Sequence, residues 1–172
     1  MQNYFDLFGL SQQFDINLNM LETNFRKIQS ESHPDRFVTA SNAEKIQSMQ
    51  TATLANEAYL TLKSPALRAA YLLGLQGIAA IDEKNNQMPA DFLMQQMEWR
   101  EAIEDAENAS DISTLESLLN EINNAGKHLQ ESLKSQLQQS NLSEATDSTR
   151  KLIFMDKVCA DIQKSMEHLE DK

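Results

Sequence analysis

Apolar residues recur at helical spacing along most of the chain. In the first part, Leu18, Leu21, Phe25 and Ile28 follow one another at intervals of three, four and three residues. This spacing is one face of an amphipathic helix. Pro34 disfavours helical geometry at the residue before it, so the helix should end there. A polar loop, "PDRFVTASN", follows.

A second helix should begin after Ser41 or Asn42, because both residue types are good N-caps. Its spacing places on one stripe Ile46, Met49, Thr53, Asn56 and Leu60. Two helices joined by a short polar loop should pack antiparallel as a hairpin. The stretch "SPALRAAYLLGLQG" predicts a further short helix that Ser64 caps, Pro65 begins and Gly77 ends.

Residues 77–90 lose the helical periodicity and carry polar breakers, so a domain boundary is expected there. Three amphipathic segments follow, at about Ala90–Asn108, Ile112–Gln139 and Ser143–Leu169. None can bury its apolar stripe alone, and short connections favour a bundle. The sequence therefore predicts an all-α protein: an N-terminal helical hairpin domain over residues 1–76, a linker over 77–89, and a three-helix bundle over 90–172.

Composition and charge agree with helices and restrict the function. The 172 residues are 41% hydrophobic and include only 4 glycines and 3 prolines. The net charge is −11: residues 1–75 carry 6 basic and 7 acidic residues, and residues 76–172 carry 9 and 19. Because residues 76–172 are so acidic, nucleic acid is not expected as a partner. No apolar run approaches a membrane span, the first residues lack the basic start of a signal peptide, and a cytoplasmic protein is expected.

Nothing in the sequence assembles an active site or a metal site. The three histidines are far apart, and none has a second His or Cys one helical turn away. Cys159, the single cysteine, lies on the apolar stripe of the last helix, where a small buried side chain is more expected than a nucleophile. Four scattered glycines cannot form a phosphate loop. Glu104 and Asp105 are typical of a solvated helix surface. We therefore expect no catalytic residue, no cofactor and no metal.

The tripeptide His33–Pro34–Asp35 lies between the first two helices. In the simpler interpretation it is a helix stop followed by a turn, and the histidine is incidental. Alternatively, a rigid proline presents the imidazole and the carboxylate at an exposed hairpin tip, beside Arg26 and Lys27. Such a tip would be a docking epitope for another protein.

The context of the tripeptide resembles a J-domain over roughly residues 3–75. "YFDLFGL" is similar to the opening segment of that family, and "NEAYLTLKSP" to its third helix running into the fourth. The resemblance implies that the "HPD" residues contact a DnaK-type chaperone and stimulate its ATP hydrolysis. It also implies that basic residues meet an acidic surface of that chaperone. The implied chaperone-binding residues are His33, Pro34, Asp35, Arg26, Lys27 and Arg36.

In the second half, "FLMQQMEWREAIEDAE" and "TRKLIFMDK" are similar to the C-terminal domain of HscB-type co-chaperones, so the resemblance spans nearly the whole chain. That family brings an iron–sulfur scaffold protein (IscU-like) to a specialised DnaK-type chaperone (HscA-like). The resemblance places on the scaffold-binding face Leu93, Met94, Met97, Glu98, Arg100, Glu101 and Phe154.

The residues of the first bundle helix support a binding face independently. One buried stripe cannot hold all of its apolar residues, so some must face out: Phe92, Leu93, Met94, Met97, Trp99, Ala102 and Ile103. An exposed Met-rich patch rimmed by acidic residues suits protein binding. We expect Leu93, Met97 and Phe154 to be partly exposed and close together.

The resemblance implies a co-chaperone that stimulates the chaperone ATPase and delivers the scaffold to it, and the residues themselves indicate no catalysis. A J-domain protein with a different client remains an alternative. A small hydrolase that uses His33 and Asp35 would need a pocket, which a hairpin tip does not supply. In a purely structural bundle, substitution of His33 would change nothing measurable.

Overall fold

The computed structural model describes residues 2–82, 84 and 87–172 and divides into two compact units, Met1–Leu75 and Gln76–Lys172. The described residues form helices connected by turns, with no strand among them. The elements in chain order are α1 (Tyr4–Leu7), α2 (Leu18–Glu31), a 3₁₀ turn (Pro34–Phe37), α3 (Asn42–Lys63), α4 (Pro65–Leu75), α5 (Ala90–Asn108), α6 (Ile112–Gln138) and α7 (Leu142–Glu170). The predicted all-α fold is confirmed.

The first unit is built on the α2–α3 hairpin, with α1 and α4 packed against α3. Two pairs of stacked rings tie elements that are distant in sequence. Tyr4 of α1 stacks on Tyr71 of α4 at 4.4 Å between ring centres, and Phe25 of α2 stacks on Tyr59 of α3 at 4.2 Å. These contacts cross the unit, so the loop between α2 and α3 extends from a well-packed set of helices.

The helix termini carry the caps that set where each helix begins. Asn17 accepts the backbone N–H of Met20 at the start of α2. Ser41, one of the two predicted caps, forms a capping box with Glu44 at the start of α3. Ser64 accepts the N–H of Leu67, as expected for the cap of α4. These bonds satisfy backbone donors that the first turn leaves open.

The apolar stripe predicted on α3 does not face the hairpin interior. Ile46, Met49 and Leu60 are exposed. The buried positions of α3 are Ser48, Ala55, Ala58 and Leu62. Small side chains at the contact let two helices pack close together, and the larger apolar residues are left on the outer face.

The second unit is a bundle of α5, α6 and α7, in which α6 and α7 make the longest contact. Its core combines residues from all three helices: Phe92, Trp99, Ala106, Leu115, Ile122, Met155, Val158 and Ile162. The predicted three-helix bundle is confirmed. Within the described residues, no helix has the length and hydropathy needed to cross a bilayer.

Candidate docking surfaces

The tip of the hairpin begins where α2 ends. Ser32 is buried and caps the last turn, because both its N–H and its hydroxyl donate to the carbonyl oxygen of Ile28, at 2.9 and 2.7 Å. The backbone of His33 is extended (φ −63°, ψ 137°), as expected for a residue before proline. The predicted polar loop begins with a 3₁₀ turn at Pro34–Phe37. The chain direction at the tip is therefore set by hydrogen bonds on both sides of His33.

His33 is the N-cap of that turn. Its Nδ1 accepts the backbone N–H of Asp35 at 3.2 Å, and its carbonyl oxygen accepts the N–H of Arg36 at 3.0 Å. Nδ1 also lies 3.6 Å from Asp35 Oδ2, so the imidazole and the carboxylate are neighbours at the tip. The side chains of His33 and Asp35 are 56% and 90% exposed, so both are accessible to a partner.

The basic residues beside the tip differ in how they are held. Arg26 is exposed and pairs with Glu22 one turn earlier on α2, with 2.7 Å between Nη2 and Oε1. Lys27 and Arg36 are exposed, and no carboxylate of the described residues lies within ion-pair distance of either. Exposed pairs of the Arg26–Glu22 kind contribute little stability and are easily exchanged for a partner's charge.

The outer face of α5 is apolar at its N-terminal half. Phe92 and Trp99 turn into the bundle core, whereas Leu93, Met94 and Met97 are 46%, 63% and 70% exposed. Some apolar residues of this helix therefore face outward, as expected, and the structure shows which: two aromatic residues are buried, and three aliphatic ones stay exposed. Glu98, Arg100 and Glu101 are exposed around them.

Phe154 reaches the same face from α7. Its ring is half-buried and packs edge-on against Phe92, with 5.8 Å between ring centres. The guanidinium of Arg100 lies 5.8 Å from the centre of the Phe154 ring. Leu93, Arg100 and Phe154 line one groove of about 400 Å³. Met97 is one turn beyond Leu93 on the same helix face, outside the groove.

The groove also contains residues that sequence reasoning did not nominate. They come from the segment before α5, from α5 itself and from α7: Ala80, Ile81, Asp82, Met88, Gln96, Arg150, Ile153 and Lys157. Three of these residues, Arg150, Ile153 and Lys157, lie on α7, and together with Phe154 they recur at intervals of three, one and three residues, which is a helical stripe. This spacing could have identified the α7 residues from the sequence. The groove residues in the segment before α5 show no such spacing.

The remaining candidate groups do not form a reactive centre. Burial and the neighbouring charge of Asp156 raise the pKa of the Cys159 thiol, which disfavours the nucleophilic thiolate. The Cys159 Sγ lies 3.5 Å from Asn123 Oδ1. In the part of the chain that the structure describes, no three His, Cys, Asp or Glu residues are grouped so that they could hold a metal ion.

Two solved structures resemble the whole chain. The chaperone HscB from Vibrio cholerae superimposes with a TM-score of 0.84 at 38% sequence identity, covering 98% of this chain and 99% of that one. The human co-chaperone protein HscB gives a TM-score of 0.87 at 27% identity, covering 95% of this chain and 81% of its own. The fold likeness therefore extends over both helical units.

Sequence comparison gives the same family. The sequence model described as "HSCB C-terminal oligomerisation domain" matches residues 88–163. A protein curated as a co-chaperone protein HscB homolog in Burkholderia thailandensis is 43% identical over 168 residues, which cover 98% of this chain and 96% of the relative. Its counterpart in Paraburkholderia phymatum is 41% identical over 169 residues, 98% and 97% of the two chains. The chain therefore belongs to the HscB family of co-chaperones.

Proposed function

We propose that this co-chaperone stimulates the ATPase of an HscA-like, DnaK-type chaperone and delivers an IscU-like iron–sulfur scaffold protein to it. The observation that carries the proposal is that the first unit exposes a fixed polar hairpin tip and the second an apolar face of α5, neither of which is needed for the core of its own unit. Residues 1–76 act as the J-domain, residues 77–89 as the linker, and residues 90–172 as the scaffold-binding bundle. The activity takes place in the cytoplasm, and the chain itself supplies no catalysis and holds no cofactor.

The chaperone-binding surface is the hairpin tip. Asp35 offers a nearly fully exposed carboxylate to a cationic group of the chaperone, and the cap from His33 Nδ1 fixes the backbone that carries it. Pro34 restricts the turn further because its φ is locked. Arg26, Lys27 and Arg36 supply positive charge for an acidic chaperone surface, which favours encounter and correct orientation.

The scaffold-binding surface is centred on Leu93, Met94, Met97 and Phe154. Flexible methionines adapt to the shape of a partner, and apolar anchors at the centre of an interface carry most of its energy. Charged residues around the anchors, Glu98, Arg100 and Glu101, set register and exclude wrong partners. Because both surfaces belong to one chain, a bound scaffold is held at high local concentration near the chaperone.

The experiment is a steady-state ATPase assay of the HscA-like chaperone from the same organism, titrated with the full chain in the presence and absence of the IscU-like scaffold. We expect stimulation by the chain alone and a further increase with scaffold. Absence of any stimulation would contradict the chaperone assignment. Stimulation without scaffold binding would mean that this co-chaperone serves a different client.

A further inference from the structure

The groove beside α5 concentrates positive charge in an acidic half of the protein. Arg100, Arg150 and Lys157 line it, and Asp82 is its acidic lining residue among those described. Residues 76–172 carry 9 basic residues against 19 acidic ones, so a third of the bases of this half meet at one place. Random placement on an acidic surface would instead intersperse them with carboxylates.

These three cations are not neutralised within the described part of the chain. No carboxylate there lies within ion-pair distance of Arg100, Arg150 or Lys157. Like charges that converge on one concave surface repel one another and attract anionic groups from solution. The groove is therefore electrostatically complementary to a negatively charged partner segment.

The guanidinium groups of both groove arginines are oriented by contacts within the protein itself. Arg150 is half-buried, and its Nε donates to the carbonyl oxygen of Ala80 at 3.1 Å, which fixes the side chain against the segment before α5. Among the described residues, its two terminal nitrogens have no hydrogen-bond acceptor, so they can bind a carboxylate. Arg100 is steered by the Phe154 ring beneath it.

The lining between the cations is apolar. Ile81 is 61% exposed, and the other apolar side chains around the groove are Met88, Leu93, Ile153 and Phe154. A volume of about 400 Å³ has room for several side chains of a bound segment. Leu93, Arg100 and Phe154 belong both to this groove and to the proposed scaffold-binding surface, so the two are continuous.

We propose that the groove binds an acidic segment of the scaffold protein, with an apolar side chain of that segment against Ile81 and a carboxylate between Arg150 and Lys157. This inference rests on the proposed scaffold binding and extends its footprint from α5 and Phe154 to the segment before α5 and to Arg150 and Lys157 of α7. The occupant is a protein segment because the charges of the groove flank a continuous apolar surface that joins the α5 anchors.

The test uses the full chain titrated with the purified IscU-like scaffold by isothermal calorimetry. Lys157→Glu reverses one groove charge, and Lys127→Glu makes the same charge change on an exposed residue of α6 outside the groove. We expect Lys157→Glu to weaken binding about tenfold at low salt and less at high salt, since both attraction and repulsion are screened. Lys127→Glu should bind like the wild type.

The apolar lining of the groove is tested by a second groove variant with a matched control. Ile81→Ala removes exposed methylenes inside the groove, and Ile46→Ala does so at a similarly exposed residue of α3, at 61% and 56% exposure. Only Ile81→Ala should weaken binding, by about threefold to fivefold. The groove proposal would be overturned if either groove variant bound scaffold as tightly as the wild type, or if a groove variant and its control lost equal affinity. In both cases, scaffold binding by the wild-type chain would still support the proposed function. Failure of the wild-type chain to bind scaffold would overturn both.

Discussion

The hairpin tip and the α5 surface differ in what holds them and in what they offer. The tip is polar, and a single 3₁₀ turn with its His33 cap fixes it. The α5 surface is apolar and lies on a regular helix supported by α7. A small charged epitope gains specificity from fixed geometry, whereas an exposed aliphatic patch gains affinity from the area removed from water. The two surfaces should therefore fail in different ways when they are changed.

Apart from Phe154, which packs against the core residue Phe92, both surfaces lie outside the cores of their units. His33 and Asp35 are exposed, and the core residues of the bundle do not include Leu93, Met94 or Met97. Function and stability should therefore separate at both surfaces, although the physical reason differs: lost geometry at the tip, and lost apolar contact on α5.

The largest effect is expected from His33→Gln. The substitution removes the imidazole that caps the turn and that we propose contacts the chaperone, so stimulation of the chaperone ATPase should be abolished. The free energy of unfolding should change by less than about 0.5 kcal/mol because the residue is exposed. The measurements are an ATPase assay and a thermal melt.

His128→Gln is the matched control, since His128 is an exposed histidine of α6, in the other unit. It should leave stimulation at the wild-type level. Full stimulation by folded His33→Gln would mean that the tip is only a helix stop and not a docking surface.

The second effect concerns the apolar surface. Replacement of Leu93, Met97 and Phe154 by Ala together should weaken scaffold binding by about a hundredfold, because anchor residues dominate interface energies. Stimulation of the chaperone by the variant alone should persist, since the tip is unchanged. Calorimetric titration with scaffold measures the first result, and the ATPase assay without scaffold measures the second.

Thermal stability of the same variant decides whether the surface is really separate from the core. Two of the three residues are exposed, so the total loss should stay below the ~2–5 kcal/mol typical of one buried truncation. A collapsed melt would show that these side chains support the bundle. Unchanged scaffold affinity would reject the α5 surface.

A smaller effect is expected when the two units are cut apart. A fragment of residues 1–76 contains the packed hairpin and its stacked rings, so it should fold alone and stimulate the chaperone weakly. Scaffold should not increase that stimulation, because the bundle is missing. Circular dichroism and the ATPase assay check both points, and an unfolded fragment would place the boundary elsewhere.

The smallest effect should come from the exposed stripe of α3. Ile46, Met49 and Leu60 expose apolar area as the α5 residues do, but they lie on the other unit. Their joint replacement by Ala should leave scaffold affinity within about twofold of wild type, because surface substitutions away from an interface cost little. A loss comparable to that of the α5 variant would show that exposed apolar area, rather than its location, governs binding.

Much of the fold could be predicted from the sequence because the helices have local signals. The start of α3 after its cap Ser41, the start of α4 at Pro65, and the bounds of α5 follow from caps, breakers and periodicity. The inner face of α3 could not be predicted in the same way. Large apolar residues are weighted as core, but the small side chains Ala55 and Ala58 are buried instead. Which stripe packs depends on the partner helix, and sequence spacing does not contain that information.

The two candidate surfaces were predictable to different degrees for a related reason. His33, Pro34 and Asp35 are consecutive, so one short motif exposes them as a candidate. Leu93 and Met97 were indicated by a surplus of apolar residues on one helix. Arg150 and Ile81 are distant in sequence and come together only through tertiary packing, with Arg150 bound to the carbonyl oxygen of Ala80. A groove of that kind leaves no local signal.

The central claim is that one chain joins the two surfaces, and the most direct measurement compares joined with separated units. The chaperone ATPase is assayed at limiting scaffold with the intact chain, and again with an equimolar mixture of residues 1–76 and 77–172. A linked pair of sites reaches an effective concentration on the order of millimolar, whereas separated halves have only their bulk concentration. The intact chain should show a scaffold-dependent increase in ATPase rate that the mixture lacks. An equal increase with the mixture of folded halves would contradict the claim.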